Sequence, residues 1–557
     1  MQPGAIGPVR REIGLLTART TAPSQSARLR RGRSFTAGAL LLCARLAIPS
    51  LVTATPPLQS TAPPSGARLA LQDAARLVEE ARLDEAEQQA RRAVADPDTQ
   101  AVAYSVLGTI RFQQNRLAES VVFFKKAIRL DGRLPGAHLS LAQVYILDGK
   151  PALASPLCEK VIALDPSNAI ARLTLARAET EQGHYRRALD VAAPAIDAFK
   201  HSPEGVFVLA TAYLKAGNRA AALALADDWA RLVDIPQAWA VKTGALFATN
   251  GAARQAIAVL ERAQQAGPPS YEVAFNLAGA YLLDDEPARA LDAYDAALSV
   301  QPDAVPALRQ AAALAERRGE LERSLSYWLR AKKIAANDPE ILLGFGRVCL
   351  RMDLLDDAEL ALVRAASLKP TDTTCQYTLA AAKVGKRQFE AAQQLLDPLV
   401  AAHADDARLQ YALGSVLYLQ GRLSDAAAHL RESLRLQPDQ LASAYYLALV
   451  VRDEGNDAEA MTMLERLLQR FPDHAAASEV LGGLLMTAQR YADAEHRLRE
   501  AIRLNPTSVK ANYQLGLLLA RMGRKEESER QLALAKTLRE EDETNSRLQL
   551  RLLDPGQ

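Results

Sequence analysis

Tyr377, Tyr411 and Tyr445 stand 34 residues apart, and Tyr513 lies two such steps beyond Tyr445. Tyr418 falls between them, and Arg347, Arg351, Arg408, Arg452, Lys510 and Arg521 are interleaved along the same stretch. Tyrosine offers a large, stiff contact area ending in one hydroxyl, and arginine offers a planar fork of donors. Together they suit gripping another polypeptide better than making or breaking bonds.

Residues for covalent chemistry are scattered. Cys43, Cys158, Cys349 and Cys375 form no CxxC pair, and lone cysteines at helical core positions act as small hydrophobes. The seven histidines include no pair at metal-ligand spacing on one helix. The sequence holds no phosphate loop, no GxSxG and no glycine-rich dinucleotide turn. Acidic pairs such as Glu79-Glu80 and Glu540-Glu541 fall where helices begin or end, as solvated charge does. The expectation is a non-enzyme with no cofactor and no metal.

The spacing of the tyrosines belongs to a module, best seen from Ala407 to Gln440. One amphipathic helix is predicted over Ala407 to Leu419, stopping at Gln420-Gly421. A second is predicted from an N-cap at Ser424 to a stop at Pro438. Helices of about twelve residues joined by about four must fold back on each other, and one such pair is marginal alone. Stepping by 34 from Gly414 meets only Gly or Ala, from Ala74 to Gly516. Stepping from Ala426 meets only Ala or Ser, from Ala86 to Ser528. Two such small columns mark where paired helices approach closest. A further column carries the large fillers Phe124, Leu260, Tyr294, Trp328, Leu362, Leu430 and Leu498, and another the stops Pro166, Pro268, Pro302, Pro370, Pro438, Pro472 and Pro506. About fourteen copies fit between about Ala67 and Asp542 without insertion or deletion.

These residues resemble the tetratricopeptide repeat family, whose signature has the two small columns, a leucine before the first (Leu107, Leu141, Leu413, Leu481), a tyrosine after it (Tyr145, Tyr213, Tyr281) and the closing proline. Asp73, Thr243 and Ala311 depart from the leucine position. The resemblance implies an all-α fold, a right-handed α-solenoid or superhelix of antiparallel helix pairs, with first helices lining a concave groove. On that footing Arg347, Arg351, Tyr377, Arg408, Tyr411, Tyr418, Tyr445, Arg452, Tyr513 and Arg521 are the expected partner-binding residues. Leu139, Phe207 and Phe275 give the N-terminal half a more apolar inner face.

The formal charge of +2 conceals a division. Residues 1–66 carry eight arginines and one acid, which leaves −5 for the rest and argues against nucleic acid as the main partner. Within that leader, Arg28 to Arg33 precede apolar runs Ala37 to Ala44 and Leu46 to Val52, then the small-x-small site Val52-Thr53-Ala54. That is the order of a secretory signal, so the expectation is an exported bacterial protein, periplasmic or secreted, with a cytoplasmic chain as the alternative and no integral membrane span. The division is therefore a basic leader and Pro-rich linker over 1–66, the repeat array over 67–542, and a capping segment over 543–557 that includes Ser546 to Leu553. The function expected is a scaffold binding a protein or peptide partner in the groove. The rivals are a helical-repeat RNA-binding protein and a non-catalytic partner subunit of a transferase or secretion assembly.

Overall fold

The structure, a computed structural model, describes residues 66–542; the leader ahead of Gly66 and the capping segment lie outside the described residues. The described residues form helices and short connections, with no strand among them. The chain divides into two compact units, one up to residue 307 and one from residue 308. Each is an α-solenoid of antiparallel helix pairs. In the second unit Pro339–Arg351 pairs with Leu355–Leu368, Ala407–Leu419 with Leu423–Leu436, and Leu441–Asp453 with Asp457–Arg470. Further pairs are Ala475–Thr487 with Tyr491–Leu504 and Val509–Arg521 with Lys525–Asp542.

Many first helices start on side-chain caps, although Leu441–Asp453 does not. Asp406 accepts from the Arg408 N–H and Asp372 from the Cys375 N–H, and Ser508 does the same for Ala511. They stop at a residue in left-handed conformation, such as Gly421 at φ 79°. There the Gly421 N–H reaches Tyr418 O at 2.9 Å and the Arg422 N–H reaches Leu417 O at 2.9 Å. The stop recurs at the same register even where it is not glycine, as at Asn115, Arg387 and Gln489. Only glycine adopts this geometry without cost, so Gln489→Gly is expected to raise stability by about 0.5–1 kcal/mol. A urea midpoint at or below that of wild type counts against the assignment.

The second helix begins two residues earlier than expected. It starts at Leu423, with Arg422 at the N-cap position making no side-chain cap bond. The tight turn leads straight into the helix, so Ser424 lies inside the first turn instead of capping it. A second correction concerns the fourth pair, whose second helix is not continuous. It runs Tyr185–Ala192, tightens to a 3-10 turn at Ala193–Ala195 around Pro194, and resumes as Ile196–Lys200. The resumed segment comes so close to the next helix that a Cβ at Gly205 would lie 2.2 Å from Phe199 O.

The small columns meet as their spacing predicts. The Ser324 hydroxyl donates to Ala312 O at 2.7 Å, and Ser528 to Gly516 O at 2.8 Å, each joining the second column to the first. The glycines of the first column also face the large fillers. A Cβ at Gly414 would sit 2.9 Å from Leu430 Cγ, and one at Gly108 would sit 2.7 Å from the Phe124 ring. Thr243 and Ala311 are fully buried, whereas Asp73 is exposed and pairs with Arg76. Ala426 has no exposed surface and Ala428 is exposed. Ala426→Leu is expected to cost about 1–3 kcal/mol by overpacking, with Ala428→Leu near neutral, read from urea midpoints. Equal midpoints would mean that the column is not a contact.

Candidate functional site

The first helices of the second unit hold one dense aromatic and polar cluster, half-buried against the core. It forms because Leu441–Asp453 carries Tyr445 and Tyr446 near its start and Arg452 and Asp453 at its end, beside Tyr418 on the preceding first helix. The Tyr446 ring is met edge-on by Tyr411 at 5.9 Å, Tyr418 at 5.8 Å and Tyr445 at 5.7 Å. On its other side Tyr445 lies 5.0 Å from the His474 ring. Such edge-to-face packing holds the rings in fixed orientations.

Polar groups bind the cluster into one unit. Tyr418 donates to Asp453 Oδ2 at 2.8 Å, and Arg452 Nε donates to Asp453 Oδ1 at 2.7 Å. Burial pulls the Asp453 carboxyl upward, but Arg452 and Tyr418 overcome it and hold it below the usual carboxylate range. The Tyr418 hydroxyl is pushed up to about 12, first by burial and then by the Asp453 carboxylate. Burial also raises the Tyr445 and Tyr446 hydroxyls, so all three stay protonated donors at neutral pH. One pair further on, Ser508 donates to Glu479 Oε2 at 2.7 Å and Lys510 Nζ lies 3.2 Å from Glu479 Oε1. Tyr513, on that helix, is 51% exposed.

The expected residues therefore fall into separate groups. Tyr418, Tyr445 and Arg452 come together. Arg347 and Arg351 lie apart from them, both on Glu316: Arg347 makes a two-pronged contact at 2.7 and 2.6 Å, and Arg351 donates to the Glu316 carbonyl at 3.0 Å. Arg408 is tied to its own helix cap, Asp406, and Tyr377 is half-buried near it. Arg521 is exposed at the end of its helix. Tyr411 is a correction: it is 1% exposed and belongs to the core, because Tyr446 from the next pair covers it. Reading by column missed Tyr446, His474 and Asp453, which stand one place off the tyrosine column or at helix ends.

The cysteines of the described residues, Cys158, Cys349 and Cys375, are buried, and burial raises each thiol, Cys375 to about 11. No group of side chains among the described residues is arranged to hold a metal ion. What the surface offers is aromatic faces, hydroxyl donors and paired charges.

Three family models, each described as tetratricopeptide repeat, match the sequence: one at 173–236, 241–307, 377–440 and 484–542, one at 145–193 and 417–484, and one at 101–133. Together they span more than half of the chain. The chain belongs to the tetratricopeptide repeat family. Tetratricopeptide solenoids bind protein partners and are generally non-catalytic, so the chain is placed among protein–protein interaction scaffolds. Solved structures similar to this tetratricopeptide chain include the APC/C hetero-tetramer Cut9-Hcn1, at 14% identity and TM-score 0.39, covering 75% of this chain and 96% of that one. Yeast Tom70 matches at 15% identity and TM-score 0.34, covering 86% and 96%. MamA 41-end from Desulfovibrio magneticus RS-1 matches at 20% identity and TM-score 0.28, covering 30% and 96%. No curated protein matches the sequence. Among the described residues no helix is long and apolar enough to cross a membrane.

Proposed function

We propose that this protein holds an extended protein segment along the first-helix face of its second unit, in the groove that the family's first helices line, with the Tyr418–Tyr445–Arg452 cluster as its centre. The observation that carries this is the cluster itself: tyrosines packed edge-to-face whose hydroxyls remain donors, beside charges already balanced by neighbours. Arg452 faces Asp453, Lys510 faces Glu479, and Arg347 faces Glu316. A face with balanced charge and mixed donors and acceptors favours backbone amides and aromatic side chains over a phosphate backbone, whose attraction needs uncompensated cations. The wider set from Arg347 to Arg521 then flanks the centre, with Tyr377 and Arg408 on one side and Tyr513 and Arg521 on the other.

The leader's basic, apolar, small-x-small order supports export with cleavage near Thr55. Intact mass of the protein from its native host tests that part, and a cytosolic chain starting at Met1 would overturn it.

The binding part is tested by placing a photo-crosslinking amino acid at Tyr513 or at Ala428 in the full chain and irradiating it in host extract. A polypeptide adduct from position 513, absent from position 428, is the expected result. An adduct removed by ribonuclease, or equal capture at both positions, would overturn the reading.

A further inference from the structure

Among the described residues, one surface of the first unit gathers several exposed cations on neighbouring pairs. On the second helices Leu117–Leu130 and Pro151–Leu164, and in the turn between their pairs, Lys125, Lys126, Arg129, Arg133 and Lys160 make no ion pair among the described residues. Lys126 donates to the Tyr104 hydroxyl at 2.6 Å and lies 4.0 Å from the centre of that ring, and Lys125 lies 5.9 Å from the centre of Tyr145, so aromatic faces partly satisfy these two, while Arg129, Arg133 and Lys160 are exposed. Three acids of the same stretch are paired with other cations. Glu119 holds Arg111 and Arg116, Asp148 holds Lys150, and Glu159 holds Arg187. Asp131 accepts the Arg133 backbone N–H, and Asp165 accepts from Ser167. The turn that follows Leu117–Leu130 approaches the second of these helices, since a Cβ at Gly132 would lie 3.5 Å from Lys160 Nζ.

The same helices expose large apolar side chains: Val122 at 60%, Leu130 and Leu153 at 49% and Leu164 at 46%. Register links the two kinds of residue. Leu130 and Leu164 are one 34-residue step apart, as are Lys126 and Lys160, so apolar and cationic positions repeat side by side on consecutive pairs. Val122, Lys125, Lys126 and Arg129 fall on one helical stripe, and Leu153, Lys160 and Leu164 on the next.

We propose that this outer surface docks the protein on an anionic lipid bilayer, with Lys125, Arg129, Arg133 and Lys160 at the headgroups and Val122, Leu153 and Leu164 reaching the acyl boundary. Uncompensated cations interleaved with exposed aliphatic side chains are what a helix lying in a membrane interface presents. A nucleic acid would leave the leucines unused. Because no described helix can span, the attachment is peripheral. It does not depend on the reading of the Tyr445 cluster in the other unit.

The test is co-sedimentation of the full chain with phosphatidylcholine vesicles, with and without phosphatidylglycerol. Wild type is expected to sediment with the anionic vesicles only, and less as salt rises. The triple variant Lys125→Glu, Arg129→Glu, Lys160→Glu should bind at least tenfold more weakly, and Val122→Ser, Leu153→Ser, Leu164→Ser several-fold more weakly. Circular dichroism confirms that both variants keep their helices, since every substituted side chain is exposed. Wild type that fails to sediment overturns the proposal. So does a charge-reversed variant that binds like wild type, which would assign any binding to the arginine-rich leader. Loss on charge reversal with no effect of the serine variant also overturns it, because the occupant would then be a polyanion that the leucines do not touch.

Discussion

Tyr411→Ala is expected to destabilise the second unit by about 3–5 kcal/mol, whereas Tyr513→Ala, one column member away from solvent cover, should change stability by less than about 0.5 kcal/mol. The two residues share a register position in the repeat, and their types are identical. Tyr411 is 1% exposed, packs among Leu409, Leu413 and Leu430 and meets the edge of the Tyr446 ring at 5.9 Å. Truncating it removes that burial and leaves a cavity that its helix neighbours cannot fill. Tyr513 is 51% exposed and gives up almost nothing. Urea titration of each full-length variant, followed by circular dichroism, measures both. A Tyr411→Ala midpoint equal to that of wild type would put the ring at the surface and restore it as a contact residue.

Binding is expected to respond to a different set. Tyr418→Ala, Tyr445→Ala and Tyr513→Ala combined should weaken the hold on the polypeptide captured at position 513 by about a hundredfold, or about 3 kcal/mol. Interface tyrosines commonly cost 1 kcal/mol or more each on truncation, and Tyr418 also positions Arg452 and Asp453 through its hydroxyl. Titration of the purified partner against wild type and variant gives the ratio. Tyr418→Phe separates contact area from hydrogen bonding, since it keeps the ring and frees Asp453 to Arg452 alone. If the triple variant binds within about threefold of wild type while its urea midpoint is unchanged, the centre of recognition lies elsewhere.

The fold was legible because its determinants are local and repeated. The first helix over Ala407–Leu419 has the bounds its pattern predicts, and the small columns touch where their spacing placed them. Two features escaped for physical reasons. The left-handed turn residue is visible where it is Gly421 but hidden where it is Arg387 or Gln489, since the fold tolerates the strain of a side chain there. Burial of a surface column cannot be read within one repeat either, because the residue that covers Tyr411 is Tyr446 in the next. Among the described residues no equivalent cover reaches Tyr513. The column reading treated Tyr411 and Tyr513 alike, and the structure puts the first in the core and the second at the surface.

The opposed glycines and fillers bear on how such an array can be recombined. Gly414 and Leu430, or Gly482 and Leu498, lie on the same pair of helices, so knob and socket are encoded together within one 34-residue stretch. A stretch of that kind can be duplicated or transplanted whole without carrying a volume mismatch to its new place. Trp328 is different. The space for its ring is left by Gly344 on the following pair, where a Cβ would come within 2.3 Å of the indole. The pairs containing Trp328 and Gly344 are therefore linked as one heritable block. A duplication whose breakpoint falls between them would set the ring against the side chain that another copy carries in this register, such as Thr378, Ala412 or Val480, and be selected against, whereas a breakpoint that keeps Gly414 with Leu430 would not.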